Sequence, residues 1–492
     1  MRILLVYPET PETFWSFKRA LKFVAKRSIE PPLGLLTVAA MLPRSWEKRL
    51  VDMNVTPLRD RDLRWADYVF IGGMEIQRKS FDEVVARCNA LGVKVVAGGP
   101  MVTTCPQEFP GVDHLVLNEA EVTLPLFLAD LEKGSPKASY TTDRFPEITE
   151  TPVPMWELLD MKRYATMDLQ YSRGCPHDCE FCSITTLYGH RPRTKATAQF
   201  IRELDSLYEA GWRGSIFVVD DNFIGNRRKL KTETLPALIE WAEAHGNPFA
   251  MTTEVTITLA DDEELMQLMS RAGFRMLFVG IETPDQGSLA ECNKLHNRNR
   301  DLVESVKILQ RNGFDVTGGF IVGFDTDRPD IFDRQIHFIQ KSGIALAMVG
   351  LLQAPIGTRL FKRMQDENRL VDGWTGNNVS GSLNFRPRMQ SQVLVEGYKR
   401  ILRTIYSGGS YLERVLTFLR EYRLPEAGRS PITLKDIAAA LKAIWRLGVV
   451  DREKSYFWQL LAHTLRNFPQ KLPQAITLAI KGFHLREVAA AI

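Results

Sequence analysis

Three of the six cysteines in this 492-residue chain, Cys175, Cys179 and Cys182, fall within eight positions on a loop that Gly174 opens. Three thiolates can hold three corners of a 4Fe-4S cluster, whereas a closed cluster takes four. One iron then stays open to a ligand that is not protein, and chemistry can start there. Two other readings compete. A zinc site normally adds a fourth Cys or His at short spacing, and His177 lies between the first two cysteines, too cramped to close a tetrahedron with them easily. A disulfide framework belongs to short secreted chains. Ligand count and spacing favour the cluster. Cys88, Cys105 and Cys292 stand singly in apolar or loop surroundings, where a buried structural thiol is the ordinary outcome.

The loop must be held by the chain on either side of it. Across residues 166–390, apolar runs alternate with amphipathic helical stretches. Strands are expected near 168–172, 215–219, 249–253, 276–281, 316–322 and 345–352. Six such parallel units make a partial (β/α)6 barrel, in which chemistry sits at the carboxyl ends of the strands. The cysteine loop follows the first strand. Asp220, Asp221 and Asn222 follow the second, Glu254 the third, Glu282 the fourth and Gly323 the fifth. Asp and Asn in such places are also good helix N-caps, so 220–222 divides evenly between cap and ligand. Glu254 and Glu282 are isolated carboxylates closing apolar strands, with little structural reason to be there.

Residues 1–133 show a second alternation, with strands at 3–7, 68–72, 93–97 and 114–117 and helical stretches such as 80–91. This is the pattern of an α/β, doubly wound, Rossmann-like domain, whose ligands bind beyond the carboxyl ends of its strands. The loops there carry Pro32, Leu33 and Gly34; Gly72, Gly73 and Met74; and Gly98, Gly99 and Pro100. They remove side chains where a bulky ligand can lie against backbone, although any one glycine pair is more plainly a tight turn. Residues 134–165, with four spread prolines, read as a linker, and residues 391–492 as an α-helical C-terminal module. Past the sixth barrel strand, Gln353 and then Trp374, Asn377 and Asn378 form a polar stretch. Loops this rich in amides often line sites, and equally often only turn.

Composition excludes several classes. Hydrophobic residues at 45% and charged residues at 25% are those of an ordinary globular protein. The chain opens as a strand without a secretory leader, and no stretch approaches the ~20 apolar residues of a membrane span. A cytoplasmic location is expected, which agrees with the reducing surroundings a thiolate-bound cluster needs. The net charge is +4, but residues 391–492 alone hold sixteen Lys and Arg against eight Asp and Glu. Such helices usually pack with their cations solvated; peripheral contact with an anionic lipid surface is the second reading. No nucleic-acid partner is expected.

The spacing Cys-x3-Cys-x2-Cys, with Phe181 before the last cysteine and Arg173-Gly174 leading in, resembles the signature of the radical S-adenosylmethionine (SAM) enzymes. The glycine loops, with Glu119-Ala-Glu121-Val-Thr123, resemble the cobalamin (B12)-binding domain of the cobalamin-dependent members. The blocks Asp-Asp-Asn-Phe-Ile-Gly-Asn from 220, Gly-Ile-Glu-Thr-Pro-Asp from 280 and Asp-Thr-Asp-Arg-Pro from 325 are similar to the hopanoid C-2 methylases, and the likeness runs through the C-terminal module. It implies a 4Fe-4S cluster on the three cysteines, with SAM at the open iron near Phe181, Asp220, Asp221, Asn222, Glu254, Glu282 and Gly323. It implies cobalamin against Pro32, Leu33, Gly34, Gly72, Gly73, Met74, Gly98, Gly99, Pro100, Glu119 and Glu121, and substrate near Gln353, Trp374, Asn377 and Asn378. The implied reaction is methylation of an unactivated carbon of an apolar polycyclic or isoprenoid-like small molecule. In it a 5′-deoxyadenosyl radical takes hydrogen and methylcobalamin gives the methyl group, with electrons from a reduced flavodoxin- or ferredoxin-type donor.

Three departures matter. Many radical SAM enzymes carry Gly-Gly-Glu after the second strand; Val219-Asp-Asp-Asn stands there instead, which leaves open which of the three polar residues meets SAM. Asn118 and Ala120 replace glycines. No Asp-x-His-x-x-Gly stretch occurs, so the lower cobalt face has no obvious ligand. The residues alone also admit a cobalamin-dependent cyclase or rearrangement enzyme without methyl transfer, and a non-catalytic iron–sulfur electron-transfer or scaffold protein. Arg191 and Arg193 read either as partners of SAM or cobalamin or as a solvated pair.

Overall fold

The computed structural model describes residues 1–371, 374–377, 379, 381–425 and 433–492. Strand β1 (Arg2–Tyr7) carries Ile3, Leu4, Leu5 and Val6 through its middle, all buried, as a strand inside a sheet covered on both faces requires. Beside it lie β2 (Glu47–Asp52) and β3 (Tyr68–Gly72), then β4 (Lys94–Gly98), β5 (His114–Val116) and β6 (Ser139–Tyr140). The spatial order is β2-β1-β3-β4-β5-β6, all parallel. Chain direction across the sheet reverses between β1 and β3, so the loops leaving those two strands flank the crevice where such sheets bind ligands.

Two strands were not legible. β2 is an edge strand reading Glu-Lys-Arg-Leu-Val-Asp with an alternating, half-exposed pattern, and charged edges are how sheets avoid unwanted pairing. β6 lies inside the segment expected as a linker, which corrects that reading. Tyr140 is buried edge-on against Phe127 at 5.7 Å, and Ile148, Trp156 and Tyr164 are buried as well. The prolines of this stretch set turns in packed chain.

The second sheet contains β7 (Thr166–Leu169), β10 (Ser215–Val218), β11 (Ala250–Val255), β12 (Phe274–Glu282), β13 (Asp315–Val322) and β14 (Ala347–Leu351), parallel and in sequence order. Between β7 and β10 come β8 (Ser172–Arg173) and β9 (Arg193–Thr194), paired antiparallel. The first barrel strand thus stops at Leu169 rather than near 172, because Asp220 draws the chain aside: its carboxylate accepts from the Tyr171 amide at 2.7 Å and the Ser172 hydroxyl at 2.5 Å. The cysteine loop therefore leaves and returns through a two-stranded ribbon.

The two units share backbone hydrogen bonds. The amides of Arg27 and Ser28 donate to the Arg163 carbonyl, and the Thr166 amide donates to that of Ile29, laying a strand-like segment along β7. The C-terminal region is helical, with helices Ser391–Ile405, Gly408–Glu421, Leu434–Trp445, Lys454–Asn467 and Leu472–Ala491. The first packs on β14 and on helix Ile331–Ser342, at a contact so close that a Cβ on Gly397 would lie 2.2 Å from the Phe332 ring. The last returns to the N-terminal unit, where His484 Nε2 meets the Thr13 carbonyl at 2.9 Å. No described helix is long and apolar enough to cross a membrane.

Candidate active site

The cysteine loop begins at a position only glycine can fill. Gly174 has φ +88°, and a Cβ there would lie 2.7 Å from the Arg191 carbonyl oxygen and 3.0 Å from those of Tyr188 and Gly189. Cys175, Cys179 and Cys182 follow as free, half-buried thiols, with the Cys182 amide donating to the Cys179 carbonyl at 3.1 Å. Burial raises the pKa of all three, Cys182 to about 12. Thiols so placed ionise only when cations take up the thiolates. Three free thiols on one loop lie within electrostatic reach of one another, and three is the number of thiolates that leaves one iron of a 4Fe-4S cluster open.

Both flanks of this loop are bolted down. On one side, Arg173 Nη1 meets Glu119 Oε2 at 2.6 Å and Arg173 Nη2 meets Glu121 Oε1 at 2.9 Å. Arg193 Nη2 reaches Glu119 Oε1 at 2.6 Å, and the Thr151 hydroxyl donates to Glu121 at 2.7 Å. This corrects the expectation that Glu119 and Glu121 face cobalamin: both carboxylates are buried against arginines that frame the cysteine loop. It also corrects both readings of Arg193, which is neither solvated nor free for a cofactor; Arg191 is exposed. On the other side, Glu180 pairs with Arg363 at 2.7 and 2.9 Å, and Asp178 with Arg359 at 3.0 Å. Arg363 and Arg369 in turn share Asp325. Nothing local in the sequence announces these ion pairs, since their members lie 38 to 183 positions apart.

At the carboxyl ends of the barrel strands the structure sorts the candidate carboxylates. Asp220 is fully buried, each carboxylate oxygen accepting a hydrogen bond, from the Tyr171 amide and the Ser172 hydroxyl, so it shapes the loop. Asn222 is buried, accepts from the Thr256 amide at 3.3 Å, and partly offsets the rise at Cys175. Asp221 accepts from its own backbone and closes no ion pair among the described residues; burial and then the Asp220 charge push it up to about 7. Glu254 is likewise unpaired, pushed up to about 8 by burial and then by Asp221 and Glu30. These two carboxyls face the cysteine loop's surroundings uncommitted.

Glu282 is a correction. It was expected to lack a structural partner, yet it is buried at φ +63° and receives Lys294 Nζ at 2.6 Å. The pair lies so close over β12 that a Cβ on Gly280 would come within 2.4 Å of Glu282 Oε1 and 2.7 Å of Lys294 Nζ. Burial pulls Lys294 down, but the charges of Glu282 and Cys179 more than offset it and hold its pKa above the usual range. Lys294 thus places a buried ammonium beside the cysteine loop, and sequence reasoning missed it. His296 was also missed: its ring stacks on His177 at 3.8 Å, and burial, then Lys294, press its pKa to about 3. Phe181 packs toward Phe324 at 6.4 Å. Gly323, at φ +114°, donates its amide to Asp327 at 2.8 Å.

The glycine loops of the first unit form a floor of bare peptide. A Cβ on Gly99, at φ +95°, would lie 3.7 Å from the Gly73 carbonyl oxygen, so the loops after β3 and β4 meet backbone to backbone and lead into helix Pro100–Thr104. Gly72 and Gly98 are needed for strand packing: a Cβ would lie 3.3 Å from the Gly98 carbonyl oxygen and 2.9 Å from that of Val116. Gly34 faces open space after the buried Pro32 and half-buried Leu33, and Met74 is 54% exposed. A flat, side-chain-free rim with apolar edges fits a large planar macrocycle. Toward the barrel, Glu30 is raised to about 7 by burial, and Asp168 beside it keeps one buried oxygen unpartnered among the described residues.

The polar stretch past β14 divides. Gln353 Nε2 donates to the Ser382 carbonyl at 3.2 Å. Asn384 is buried, exchanging hydrogen bonds with the Ala354 backbone at 2.9 and 2.7 Å, and so only turns the chain. Half-buried Trp374 and Asn377 flank Gly376, whose Cβ would lie 3.0 Å from that of Glu75. This loop therefore touches the loop after β3. Asn378 lies outside the described residues.

Comparison with known proteins agrees with this geometry. Residues 24–128 match the model of the B12 binding domain, 169–339 that of the radical SAM superfamily, and 358–492 that of a domain of unknown function (DUF4070). An uncharacterized methyltransferase of Synechocystis sp. is 41% identical over 490 residues, 98% of this chain and 91% of the relative. The hopanoid C-2 methylase of Rhodopseudomonas palustris is 34% identical over 481 residues, 94% of this chain and 89% of the relative. The fold is also that of OxsB, a cobalamin-dependent S-adenosylmethionine radical enzyme solved with aqua-cobalamin and S-adenosylmethionine bound, at TM-score 0.63 and 14% identity over 100% of this chain and 80% of that one. Sheet, loop and tail therefore read as one enzyme: the chain belongs to the cobalamin-binding radical SAM methyltransferases, in the branch that shares its C-terminal module with the hopanoid C-2 methylases.

Proposed function

We propose that this methyltransferase acts on an unactivated carbon of an apolar polycyclic or isoprenoid-like molecule. The observation that carries the reading is the joint between the two units. The arginines framing the cysteine loop are held by the two carboxylates that follow β5, and the Trp374–Asn377 loop leans on the glycine-floored loop after β3. A substrate bound beside this joint would lie within reach of both cofactor sites. A named hopanoid methylase among the relatives over 94% of the chain supports the apolar substrate class.

Bound together, the cluster and SAM supply a carbon-centred oxidant for hydrogen abstraction, and cobalamin supplies the methyl group; the chemistry is the cofactors' own. The chain's part is position and exclusion of water. Cys175, Cys179 and Cys182 hold three irons. Asp221 and Glu254, the carboxyls without an ion pair at the barrel mouth, would receive the ammonium and ribose hydroxyls of SAM, and Lys294 its carboxylate. Pro32, Leu33, Gly34, Gly73, Met74, Gly99 and Pro100 bed the corrin. Trp374 and Gln353 would meet the substrate, which as a lipid-like molecule needs an apolar slot with few polar anchors. Electrons come from a reduced flavodoxin- or ferredoxin-type donor. Such a substrate lives in a bilayer, which fits peripheral contact of the basic C-terminal region with a membrane.

The test is anaerobic turnover with SAM labelled in its methyl group, against extracts of polycyclic triterpenoids and isoprenoids, read by mass spectrometry. The reading expects one labelled methyl group on a carbon of an apolar product. A product formed by ring closure or rearrangement without the label overturns it.

A further inference from the structure

Helix Leu434–Trp445 has two apolar faces where a packed helix needs one. Ala439 and Ala443, with Leu447 a turn on, are buried; Ala443 and Leu447 close against Phe457, Leu461 and Phe483. A second set, Leu434, Ile437, Leu441 and Trp445, recurs at i, i+3, i+7 and i+11 and is 85%, 49%, 62% and 65% exposed. At about 100° per residue these four share one stripe turned well away from the alanines. Lys435, Lys442 and Arg446 repeat the same spacing one residue on and are all exposed, so a row of cations runs along one edge of the apolar stripe. The stripe continues into Val449 and Val450 and across to Trp458, whose indole is fixed by the Gly448 carbonyl at 2.8 Å.

Among the described residues, the acids of this region do not answer those cations. Asp436 is spent on the helix cap with Thr433, and Asp451 and Glu453 turn inward to Arg486. Lys26 of the N-terminal unit adds a further positive charge close to Lys435. The charge pattern decides between occupants. Lys is depleted at protein–protein interfaces, whereas a Trp- and Leu-bearing stripe edged by Lys and Arg is the composition of helices that lie in a membrane interface. Twelve residues span roughly 18 Å, too short to cross and enough to lie flat.

We propose that helix Leu434–Trp445 is the surface by which this protein docks, in plane, on a bilayer containing anionic phospholipid. The inference goes beyond the methylation reading and stands whatever the substrate is. The test is co-sedimentation of the full-length protein with vesicles of phosphatidylglycerol and phosphatidylcholine, and with pure phosphatidylcholine, at low and high salt. The wild type should partition to the anionic vesicles and be released by salt. Lys435→Glu/Lys442→Glu, which reverses two charges at the surface, should lower partitioning by at least tenfold. Leu441→Lys/Trp445→Ser should lower it at all salt concentrations. These side chains point to solvent, so iron content and circular dichroism should stay at wild-type values. Failure of the wild type to bind anionic vesicles overturns the proposal. So does equal partitioning of both variants, or a wild-type dimer that Leu441→Lys/Trp445→Ser dissociates, which would give the face to a second copy. None of these outcomes bears on methyl transfer to a detergent-dispersed substrate, so the two readings fail separately.

Discussion

Replacing Arg193 by Met tests whether the cysteine loop and the cobalamin-binding unit are held as one body. Arg193 is buried and gives Nη2 to Glu119 Oε1 at 2.6 Å and to the Tyr188 carbonyl at 3.2 Å, and Nη1 to Glu119 Oε2 at 3.0 Å and to the Pro146 carbonyl at 2.6 Å. Methionine fills much of the volume and removes all four. Taking one partner from a buried ion pair costs about 3–5 kcal/mol. Glu119 keeps Arg173 at 2.6 Å, so the low end applies, and about 3 kcal/mol corresponds to local opening roughly a hundredfold more frequent. Hydrogen exchange in the apoprotein reads this directly. The amides of Cys175, bonded to the Gly189 carbonyl, and Lys195, bonded to that of Tyr171, should exchange faster by about that factor. The double variant Arg193→Met/Glu119→Gln, which leaves no carboxylate half-paired, should recover part of the loss. An increase below about threefold in the single variant would mean that the bridge carries no net stability, and the joint would be packing alone.

Glu282→Gln, which as a bare ligand change should only weaken SAM binding, should instead destabilise the apoprotein, because Lys294 is left buried without its counter-ion; a loss of about 3 kcal/mol or more in urea unfolding is expected, relieved by Lys294→Met in the same chain, and an unchanged midpoint would contradict it. Glu254 titrates near 8 in the folded chain because of burial and then of Asp221 and Glu30, so its contribution is fully present below the ordinary carboxyl range and is lost as pH rises through about 8. Thermal unfolding of the apoprotein should therefore fall more steeply between about pH 5 and 8 than that of Glu254→Gln; parallel curves would show Glu254 to be solvated.

What the sequence makes legible follows from how local the cause is. The three cysteines come onto one loop as their spacing requires, and the buried strands announce themselves by unbroken apolar runs. β2 hides because an edge strand with Glu47, Lys48 and Arg49 carries no such run, and β6 because two residues are too few to show a period. The carboxylates are harder. Glu119, Glu121, Glu282, Asp220, Asp221 and Glu254 look alike at the ends of strands, yet the first three close ion pairs with Arg173, Arg193 and Lys294. Asp220 is engaged by Tyr171 and Ser172, and Asp221 and Glu254 close no ion pair among the described residues. A carboxylate's partner is a fact of tertiary structure, and no spacing rule supplies it.

The central claim, that Cys175, Cys179 and Cys182 hold the cluster that opens SAM in a cobalamin-dependent methyltransferase, is tested most directly by one product measurement. Protein reconstituted anaerobically with iron, sulfide and cobalamin is reduced and given SAM, and 5′-deoxyadenosine is quantified beside that from the variant with all three cysteines replaced by Ala. The account predicts 5′-deoxyadenosine from the wild type and none from the variant; wild-type protein with full iron and cobalamin that leaves SAM intact, or a variant that cleaves it equally well, would contradict the account.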